Sequence, residues 1–369
     1  MTALPIGELL RTRRVIVCCG AGGVGKTTTA AALSLAAARA GRRVLVLTID
    51  PSKRLAETLG VTRNPPAPVA ISADRLKAAG ITTGSLHAWM LDPKLVADES
   101  IRRLVKKPAD AERVLSNRIY QQVSQMVAGM HEYTAMEALH RFVNEGRYDL
   151  VVLDTPPSRH ALDFLEAPRR LAGLVEGRAL QAFLPKKDSL VARAASKVLE
   201  KVLGAVFGEE FASEFITFLF SFSSIFAALN VDVNEMRTFL SGSDVAFLLV
   251  TSPAPETLTE ALFFRDKTRE LGLPFRGFVL NRSRASNVDD AWPDETTLGA
   301  LSTEALAGLP KLQAMAQVEL EAARRHAALL GELRTRAGDE GVALAVPELP
   351  QGADDLTTLL AVADVLAAS

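Results

Sequence analysis

Short apolar runs alternate with longer stretches of helical periodicity along most of the chain. This alternation is typical of an α/β fold, in which helices cover the faces of a mostly parallel sheet. Each apolar run is therefore predicted to be a strand. The predicted strands are Arg14–Cys19, Val44–Asp50, Leu150–Asp154, Val245–Thr251, Gly277–Asn281 and Val342–Pro347. The polar stretch Ser283–Asp294 is predicted to be a loop.

Two helical stretches, Lys94–Arg147 and Leu162–Leu240, interrupt the alternation and carry no strong strand signal. They flank the predicted strand Leu150–Asp154, so we expect them to pack together as an α-helical insertion subdomain beside the sheet. The chain is interpreted as one domain over residues 1–369. Its core comprises about 1–93, 148–161 and 241–369, and its helical subdomain about 94–147 and 162–240.

An apolar stripe lies within the second helical stretch. Its members recur at intervals of four and three residues, the spacing of one helix face. They are Phe211, Phe215, Phe218, Phe222, Ile225 and Leu229. The stripe is interpreted either as a buried face of the subdomain or as the wall of a groove that accepts an apolar helix from a client protein.

Composition narrows the functional classes. A net charge of −1 over 369 residues gives no reason to expect nucleic acid or an anionic membrane as a partner. The N-terminus lacks an apolar signal core, so we expect a cytoplasmic protein. The uncharged segment Phe215–Val231 is too short and polar to predict a stable membrane span.

The two cysteines, Cys18 and Cys19, are adjacent in a predicted strand. Alternation points their side chains to opposite faces of the sheet, so they cannot readily form one disulfide. The sequence has no C-x-x-C pair, and we therefore expect no zinc site of that type.

A glycine-rich loop follows the first predicted strand and precedes an alanine-rich helix predicted from about Lys26 to Ala40. It fits the phosphate-binding pattern G-x-x-x-x-G-K-[ST] at every fixed position, and it lies in the strand-loop-helix context that this motif requires. The loop consists of Gly20, Ala21, Gly22, Gly23, Val24, Gly25, Lys26 and Thr27. The sequence therefore predicts that the chain binds ATP with Mg²⁺.

The residue types of this loop suit the phosphates of a nucleotide. Glycines let backbone N–H groups approach phosphate oxygens, and the start of the following helix adds positive potential. Lys26 can reach the β- and γ-phosphates, and Thr27 offers its hydroxyl to Mg²⁺. Thr28 and Thr29 lie in the first helical turn, where their hydroxyls can donate to the α-phosphate.

Two acidic residues end predicted strands at the crevice where an α/β sheet binds its ligand. Asp50 is placed to orient or deprotonate a water that attacks the γ-phosphate, or else it forms an Asp-Pro turn with Pro51. Asp154 follows four apolar residues, the usual form of the second NTPase motif. In that motif the acid holds Mg²⁺ directly or through water.

The segment after Asp154 is placed to sense the γ-phosphate. It includes Thr155, Pro156 and His160, and segments of this kind become ordered or relaxed with nucleotide state. His160 is interpreted either as a switch residue or as a structural histidine.

These motifs, in this order, resemble the ArsA/GET family, which contains arsenite-pump ATPases and ATPases that target tail-anchored membrane proteins. The resemblance spans nearly the whole chain. It is carried by GAGGVGKTTT at 20–29, TIDPSK at 48–53, DTPPSRH at 154–160, VLNR at 279–282 and AVPELP at 345–350. It implies a P-loop NTPase fold and a deviant-Walker ATPase that works as a nucleotide-gated dimer.

The resemblance also implies roles for individual residues. Asp50 resembles the water-activating residue of the first switch, which also approaches Mg²⁺ through water. Asp154 resembles the Mg²⁺-associated acid, and His160 part of the second switch. Asn281 resembles the family's adenine-reading residue, and Pro347 begins its adenine-flanking loop. In the targeting members, the helical subdomains of two protomers form an apolar groove, so the resemblance implies a tail-anchored client for the stripe.

The sequence departs from the family pattern at three points. Ala21 stands where the family loop carries a signature lysine that acts across the dimer, in a role comparable to an arginine finger. The cysteines that bridge some targeting dimers through zinc are missing. Arsenite sensing needs several cysteines close together, and Cys18 and Cys19 do not provide them.

Four hypotheses follow. The leading one is an ATPase whose nucleotide state gates a client-binding surface, either as a homodimer or with a paralogue. Ala21 motivates the second, a weakly active nucleotide-binding subunit that a paralogue completes. An arsenite-pump subunit is disfavoured by the cysteines, and a P-loop ligase by the apolar insertion.

Overall fold

The structure is a computed structural model that describes residues 4–49, 59, 67–105, 107–118, 120–121, 130–155, 208–209, 235–236, 238–289, 303–349 and 356–368. The strands are β1 (Val15–Cys19), β2 (Arg43–Thr48), β3 (Val69–Ala70), β4 (Ser85–Met90), β5 (Leu150–Asp154), β6 (Val245–Thr251), β7 (Phe275–Ser283) and β8 (Val342–Pro347). The α-helices are α1 (Ile6–Thr12), α2 (Lys26–Arg39), α3 (Ala73–Ala78), α4 (Pro93–Leu104), α5 (Pro108–Leu115), α6 (Met130–Asn144), α7 (Pro255–Glu270), α8 (Thr303–Ala337) and α9 (Leu356–Ala367).

The described strands form one eight-stranded sheet in the order β3-β4-β2-β5-β1-β6-β7-β8. Neighbours are parallel except β3 and β4, which are antiparallel. Strand β1 lies between β5 and β6. Strand β2, which follows β1 in the sequence, lies on the β5 side, whereas β6, β7 and β8 lie on the other side of β1. The carboxyl end of β1 is thus a topological switch point, the place where such sheets bind ligands. The predicted α/β class, with helices flanking a mostly parallel sheet, is confirmed.

Two apolar layers cover the sheet, as the alternation of side chains along a strand requires. Val15, Val17 and Cys19 of β1 belong to one layer, together with residues of α6, α7 and α8. Ile16 and Cys18 belong to the other, together with residues of α1, α2 and α9. The two cysteines therefore face opposite sides of the sheet, as predicted, and both are free and buried.

The observed strands agree closely with the predicted ones. Strands β5, β6 and β8 have the predicted bounds, and β1 and β7 cover most or all of the predicted runs. Strand β7 continues to Ser283, which aligns with Pro347 of β8, and a 3₁₀ turn follows at Ala285–Asn287. The loop prediction is therefore wrong at its first residue, because pairing with β8 extends the strand.

Strands β3 and β4 were not predicted from the sequence. Strand β4 alternates apolar residues with Ser85 and His87, so its pattern is weaker than that of the central strands. Strand β3 has only two residues and forms an antiparallel edge. Outer strands carry a weaker apolar signal because they are less completely covered than the centre of the sheet.

Helices α4, α5 and α6 lie within the first helical stretch that the sequence predicts. Helix α6 contributes Met136, Leu139 and Phe142 to the apolar layer beneath the sheet. The second stretch, including the phenylalanine stripe and segment Phe215–Val231, lies almost entirely outside the described residues. Among the helices that are described, none is both long and apolar enough to cross a membrane.

Candidate functional site

The glycine-rich loop emerges from the carboxyl end of β1 and is held against neighbouring strands by close contacts. Gly20 has φ of 152°, and a Cβ added there would lie 2.1 Å from the carbonyl oxygen of Val250 in β6. A side chain at this position would therefore collide with rigid backbone. The glycine is required so that the loop can leave β1 directly beside β6.

At the other end of the loop, Gly25 precedes helix α2 in a left-handed conformation, with φ of 93°. The side-chain amide of Asn281, in β7, donates to the carbonyl oxygen of Val24 over 2.8 Å. A Cβ on Gly25 would lie 2.1 Å from that amide nitrogen. Asn281 thus fixes the loop where it turns into the helix, a contact that sequence reasoning did not predict.

Replacing Gly25 by alanine should therefore disrupt the loop. We expect Gly25→Ala to lower the free energy of unfolding by about 1–3 kcal/mol, through left-handed strain and the displacement of Asn281. It should also weaken ATP binding, measured by isothermal titration calorimetry alongside thermal unfolding. Gly23→Ala is the control for the unfolding measurement, because Gly23 is also left-handed, with φ of 76°, but a Cβ there meets nothing within 4 Å. Equal losses of unfolding free energy in both variants would contradict a specific role for the Asn281 contact.

Lys26 begins helix α2 and is buried, with 6% of its surface exposed. Its ammonium group donates to the carbonyl oxygen of Ala21 over 2.7 Å, across the loop. A buried cation is stable only with partners for its charge. This geometry keeps a positive charge inside the curve of the loop, where it can exchange the carbonyl for a phosphate oxygen.

Asp154 ends β5 beside the loop and is fully buried. One carboxylate oxygen, Oδ2, accepts from the hydroxyl of Thr27 over 2.8 Å and from the hydroxyl of Thr48 over 3.0 Å. The structure thus joins two of the predicted Mg²⁺ ligands in direct contact. Thr48 was not predicted as a site residue, although a threonine that ends an apolar strand was the available signal.

Other predicted contacts of the loop differ in their accessibility. Thr28 is half-buried at the start of α2, whereas Thr29 is buried and its hydroxyl donates to the carbonyl of Gly25. The Thr29 hydroxyl thus bonds back to the preceding turn of α2, and its role as a phosphate donor stays a prediction. The hydroxyl of Thr155 donates to the carbonyl of Cys18 over 2.8 Å, which fixes the start of the predicted second switch against β1.

Ala21 has its side chain in the apolar layer and its carbonyl oxygen facing Lys26. Only 4% of its surface is exposed, and it packs among residues that include Val24. Ala21, which stands where the resembled family carries its signature lysine, packs the loop against the core. It offers no cationic side chain at that position.

Neither cysteine has a lowered thiol pKa. Burial, together with the nearby negative charge of Asp154, raises the pKa of Cys18 well above its ordinary value. Burial also raises the pKa of Cys19 to about 12. Because the thiolate is the form that binds soft metals and arsenite, both side chains are unsuited to that role.

The predicted adenine region lies at the ends of β7 and β8. Asn281 is buried against the loop, and Pro347 ends β8, aligned with Ser283. Arg284, which follows Ser283, and Glu348, which follows Pro347, form an ion pair at 3.0 Å. The structure therefore brings Asn281 and Pro347 to the same edge of the sheet as the glycine-rich loop.

Several predicted site residues lie outside the described part of the chain. They are Asp50, Pro51, Pro156, His160 and the phenylalanine stripe. Among the residues that are described, no group of three or more His, Cys, Asp or Glu side chains is arranged to hold a metal ion. The hard oxygens of Thr27 and Asp154 are nevertheless of the type that Mg²⁺ prefers when phosphates and water supply its other ligands.

Comparisons with known proteins agree with this geometry. The model of a family described as anion-transporting ATPase matches residues 13–281, from β1 to Asn281. The chain is 34% identical over 187 residues to an uncharacterised protein of Streptomyces coelicolor, covering 50% of this chain and 43% of that protein. It is 26% identical over 165 residues to a putative arsenical pump-driving ATPase of Aquifex aeolicus, covering 42% of this chain and 38% of that protein.

A third relative is the ATPase GET3 of Malassezia globosa, which is 28% identical over 153 residues, covering 42% of each chain. The matches to these relatives span about two fifths of their lengths. Two of these three relatives, those of Aquifex aeolicus and Malassezia globosa, are named as ATPases.

Proposed function

The chain belongs to the anion-transporting ATPase family, and on this premise we propose that it is a Mg²⁺-dependent ATP hydrolase. The observation that supports this most strongly is the direct contact of the Thr27 hydroxyl with the buried carboxylate of Asp154, beside Lys26 and the glycine-rich loop. Loop amides, a buried cation and a carboxylate together form the apparatus that positions a triphosphate.

In this proposal Gly22, Gly23 and Val24 line the phosphates with backbone N–H groups, and Thr28 donates at the start of α2. Lys26 leaves the Ala21 carbonyl and binds the β- and γ-phosphates. Mg²⁺, when bound, neutralises the charge that develops on the phosphate oxygens. Thr27 would hold it directly and Asp154 through water, and Thr48 keeps the Asp154 carboxylate oriented for that task.

Asp50 is proposed to activate the attacking water, since it follows β2, whose last residue hydrogen-bonds to Asp154. We expect Asp50→Asn to bind ATP normally but to hydrolyse it about 100-fold more slowly or worse, because general-base catalysis supplies that order of rate. Single-turnover assays separate the two effects. Wild-type hydrolysis rates in Asp50→Asn would contradict this role.

The adenine base is proposed to lie between Asn281 and Pro347. Because the Asn281 amide nitrogen donates to Val24, its amide oxygen is the group suited to accept from the adenine amino group. Such an arrangement would couple recognition of the base to the shape of the phosphate loop. Pro347 would flank the ring without competing for its hydrogen bonds.

The nucleotide state is proposed to gate a dimer and an apolar client surface on the helical subdomain. Pro51, Thr155, Pro156 and His160 belong to the two segments that would respond to the γ-phosphate. The contact of Thr155 with Cys18 supports a mechanical link between the second segment and β1. The client would be an apolar helix, such as a tail anchor, bound at the phenylalanine stripe in the cytoplasm.

Ala21 favours a second candidate function, a weakly active subunit that a paralogue completes. Its side chain is buried in the apolar layer, so this chain offers no cation from that position to a second copy. Robust Mg²⁺-dependent turnover by the purified chain alone would exclude this alternative. Activity that appears only with a paralogue would support it. Anion or arsenite pumping is less favoured, because both thiols are buried and protonated.

A further inference from the structure

Strand β7 contains an extra residue where it passes the proposed base site. Leu280 pairs with Ala345 of β8, and the next pair joins Ser283 to Pro347, so β7 advances three residues while β8 advances two. Arg282 lies inside this bulge with φ of 55°, and no other residue except glycine has a positive φ in the described part of the chain. A left-handed conformation strains a residue that carries a Cβ, and such strain persists only where surrounding contacts impose it.

Contacts of the residues beyond the bulge hold the ends of the two strands together. The backbone N–H of Glu348 donates to the carbonyl oxygen of Ser283 over 3.1 Å. Nη2 and Nε of Arg284 donate to one carboxylate oxygen of Glu348 over 3.0 and 3.2 Å. The segments that leave β7 and β8 are thus joined by a backbone contact and a side-chain contact. Both contacts lie just beyond the predicted base-binding residues Asn281 and Pro347.

Arg284 is itself anchored to helix α8. Its Nη1 contacts a carboxylate oxygen of Glu319 over 2.5 Å, and its backbone N–H donates to Nδ1 of His326 over 3.0 Å. Burial and the charges of Arg284 and Arg325 lower the pKa of His326, so the ring stays neutral and its Nδ1 remains an acceptor. Glu319 and His326 lie about two turns apart on one face of the helix. Helix α8 therefore fixes both the backbone and the side chain of Arg284.

We propose that Arg284 is a positioning residue for the nucleotide base, because its ion pair with Glu348 sets the spacing between Asn281 and Pro347. This role rests on the proposed placement of adenine between those two residues. A flat ring binds best in a slot whose two sides already stand at the right distance, since less free energy is then lost in ordering the protein. Arg284 acts on the base only through Glu348 and the end of β7.

The exposure of these ion pairs separates a positioning role from a structural one. The side chains of Arg284, Glu348 and Glu319 are 35%, 50% and 56% exposed. Ion pairs this exposed contribute little to the free energy of unfolding. Loss of the arginine should therefore alter the spacing at the ends of β7 and β8 more than the stability of the whole chain.

The test compares Arg284→Gln with Arg43→Gln in the full chain. Arg43 also forms an exposed ion pair, with Asp149 over 2.6 Å, but it starts β2 at the opposite edge of the sheet from the glycine-rich loop. Isothermal titration calorimetry measures the binding of ATP and of inorganic tripolyphosphate, which carries the phosphates without the base. We expect Arg284→Gln to weaken ATP binding about 10-fold, with tripolyphosphate binding and the unfolding temperature near those of the wild type. Arg43→Gln should leave the binding of both ligands unchanged.

Hydrogen exchange gives a readout without any nucleotide. The Glu348 N–H should exchange faster in Arg284→Gln than in the wild type, because its bond to Ser283 opens more often once the ion pair is lost. Arg284→Lys, which keeps a cation but not the planar fork, should recover part of the lost ATP affinity.

Wild-type ATP affinity in Arg284→Gln would overturn the proposal while leaving the proposed nucleotide site intact. Equal weakening of ATP and tripolyphosphate binding would also overturn it, because the effect would then not concern the base. A wild-type chain that binds neither ligand would refute the nucleotide site itself, and the role of Arg284 with it.

Discussion

Lys26→Ala should reduce ATP turnover by at least about 100-fold, because it removes a preorganised cation from the transferring phosphate. The effect should be largest of all single substitutions in the loop. The buried ammonium group that now donates to Ala21 has no substitute among the neighbouring side chains of the loop. Steady-state hydrolysis at saturating ATP and Mg²⁺, together with nucleotide binding, measures the loss.

Lys77→Ala provides the control for this result. Lys77 lies on the exposed helix α3, so the same substitution there removes a cation without touching the loop. We expect wild-type turnover from Lys77→Ala and an unchanged fold in both variants by circular dichroism. Turnover by Lys26→Ala close to that of Lys77→Ala would remove the glycine-rich loop from the proposed mechanism.

Asp154→Asn should raise the Mg²⁺ concentration needed for half-maximal turnover by roughly 10- to 100-fold. The asparagine oxygen can still accept from the Thr27 and Thr48 hydroxyls, so the local packing is retained while the negative charge is lost. A titration of hydrolysis against Mg²⁺ measures the shift. An unchanged Mg²⁺ requirement would show that Asp154 is structural.

Thr48→Val separates the orientation of the Asp154 carboxylate from its part in holding Mg²⁺. It removes one hydrogen bond to a buried carboxylate, which should lower the free energy of unfolding by about 1–3 kcal/mol. It leaves the charge of Asp154 and its contact with Thr27 in place. We therefore expect reduced stability in urea unfolding with a Mg²⁺ requirement near that of the wild type.

The central strands β5 and β6 followed from the sequence because they are buried on both faces, and their bounds were predicted to the residue. Strand β8 lies at an edge of the sheet and is only partly buried, yet its apolar run also gave the observed bounds. Strand β4 was missed because Ser85 and His87 interrupt its apolar residues. The extension of β7 to Ser283 depends on pairing with β8, which no local pattern encodes.

The site could be predicted where a residue acts through its type and spacing. The glycine-rich loop and Asp154 carry such a signal, and the contact of Thr27 with Asp154 brings them together. The hydrogen bond from the Asn281 amide to the Val24 carbonyl could not be predicted, because these residues are 257 positions apart and meet only in the folded sheet. The role of Ala21 in packing the loop likewise required the structure. The roles of Asp50, His160 and the phenylalanine stripe stay predictions.

A crystal structure of the full chain with Mg²⁺ and a non-hydrolysable ATP analogue is the sharpest test of the proposed phosphate site. We expect Lys26 to leave the Ala21 carbonyl for the β- and γ-phosphates. We also expect Mg²⁺ to contact the Thr27 hydroxyl, with Asp154 behind it through water. A nucleotide bound elsewhere, with Lys26 still on Ala21 and Thr27 still on Asp154, would contradict it.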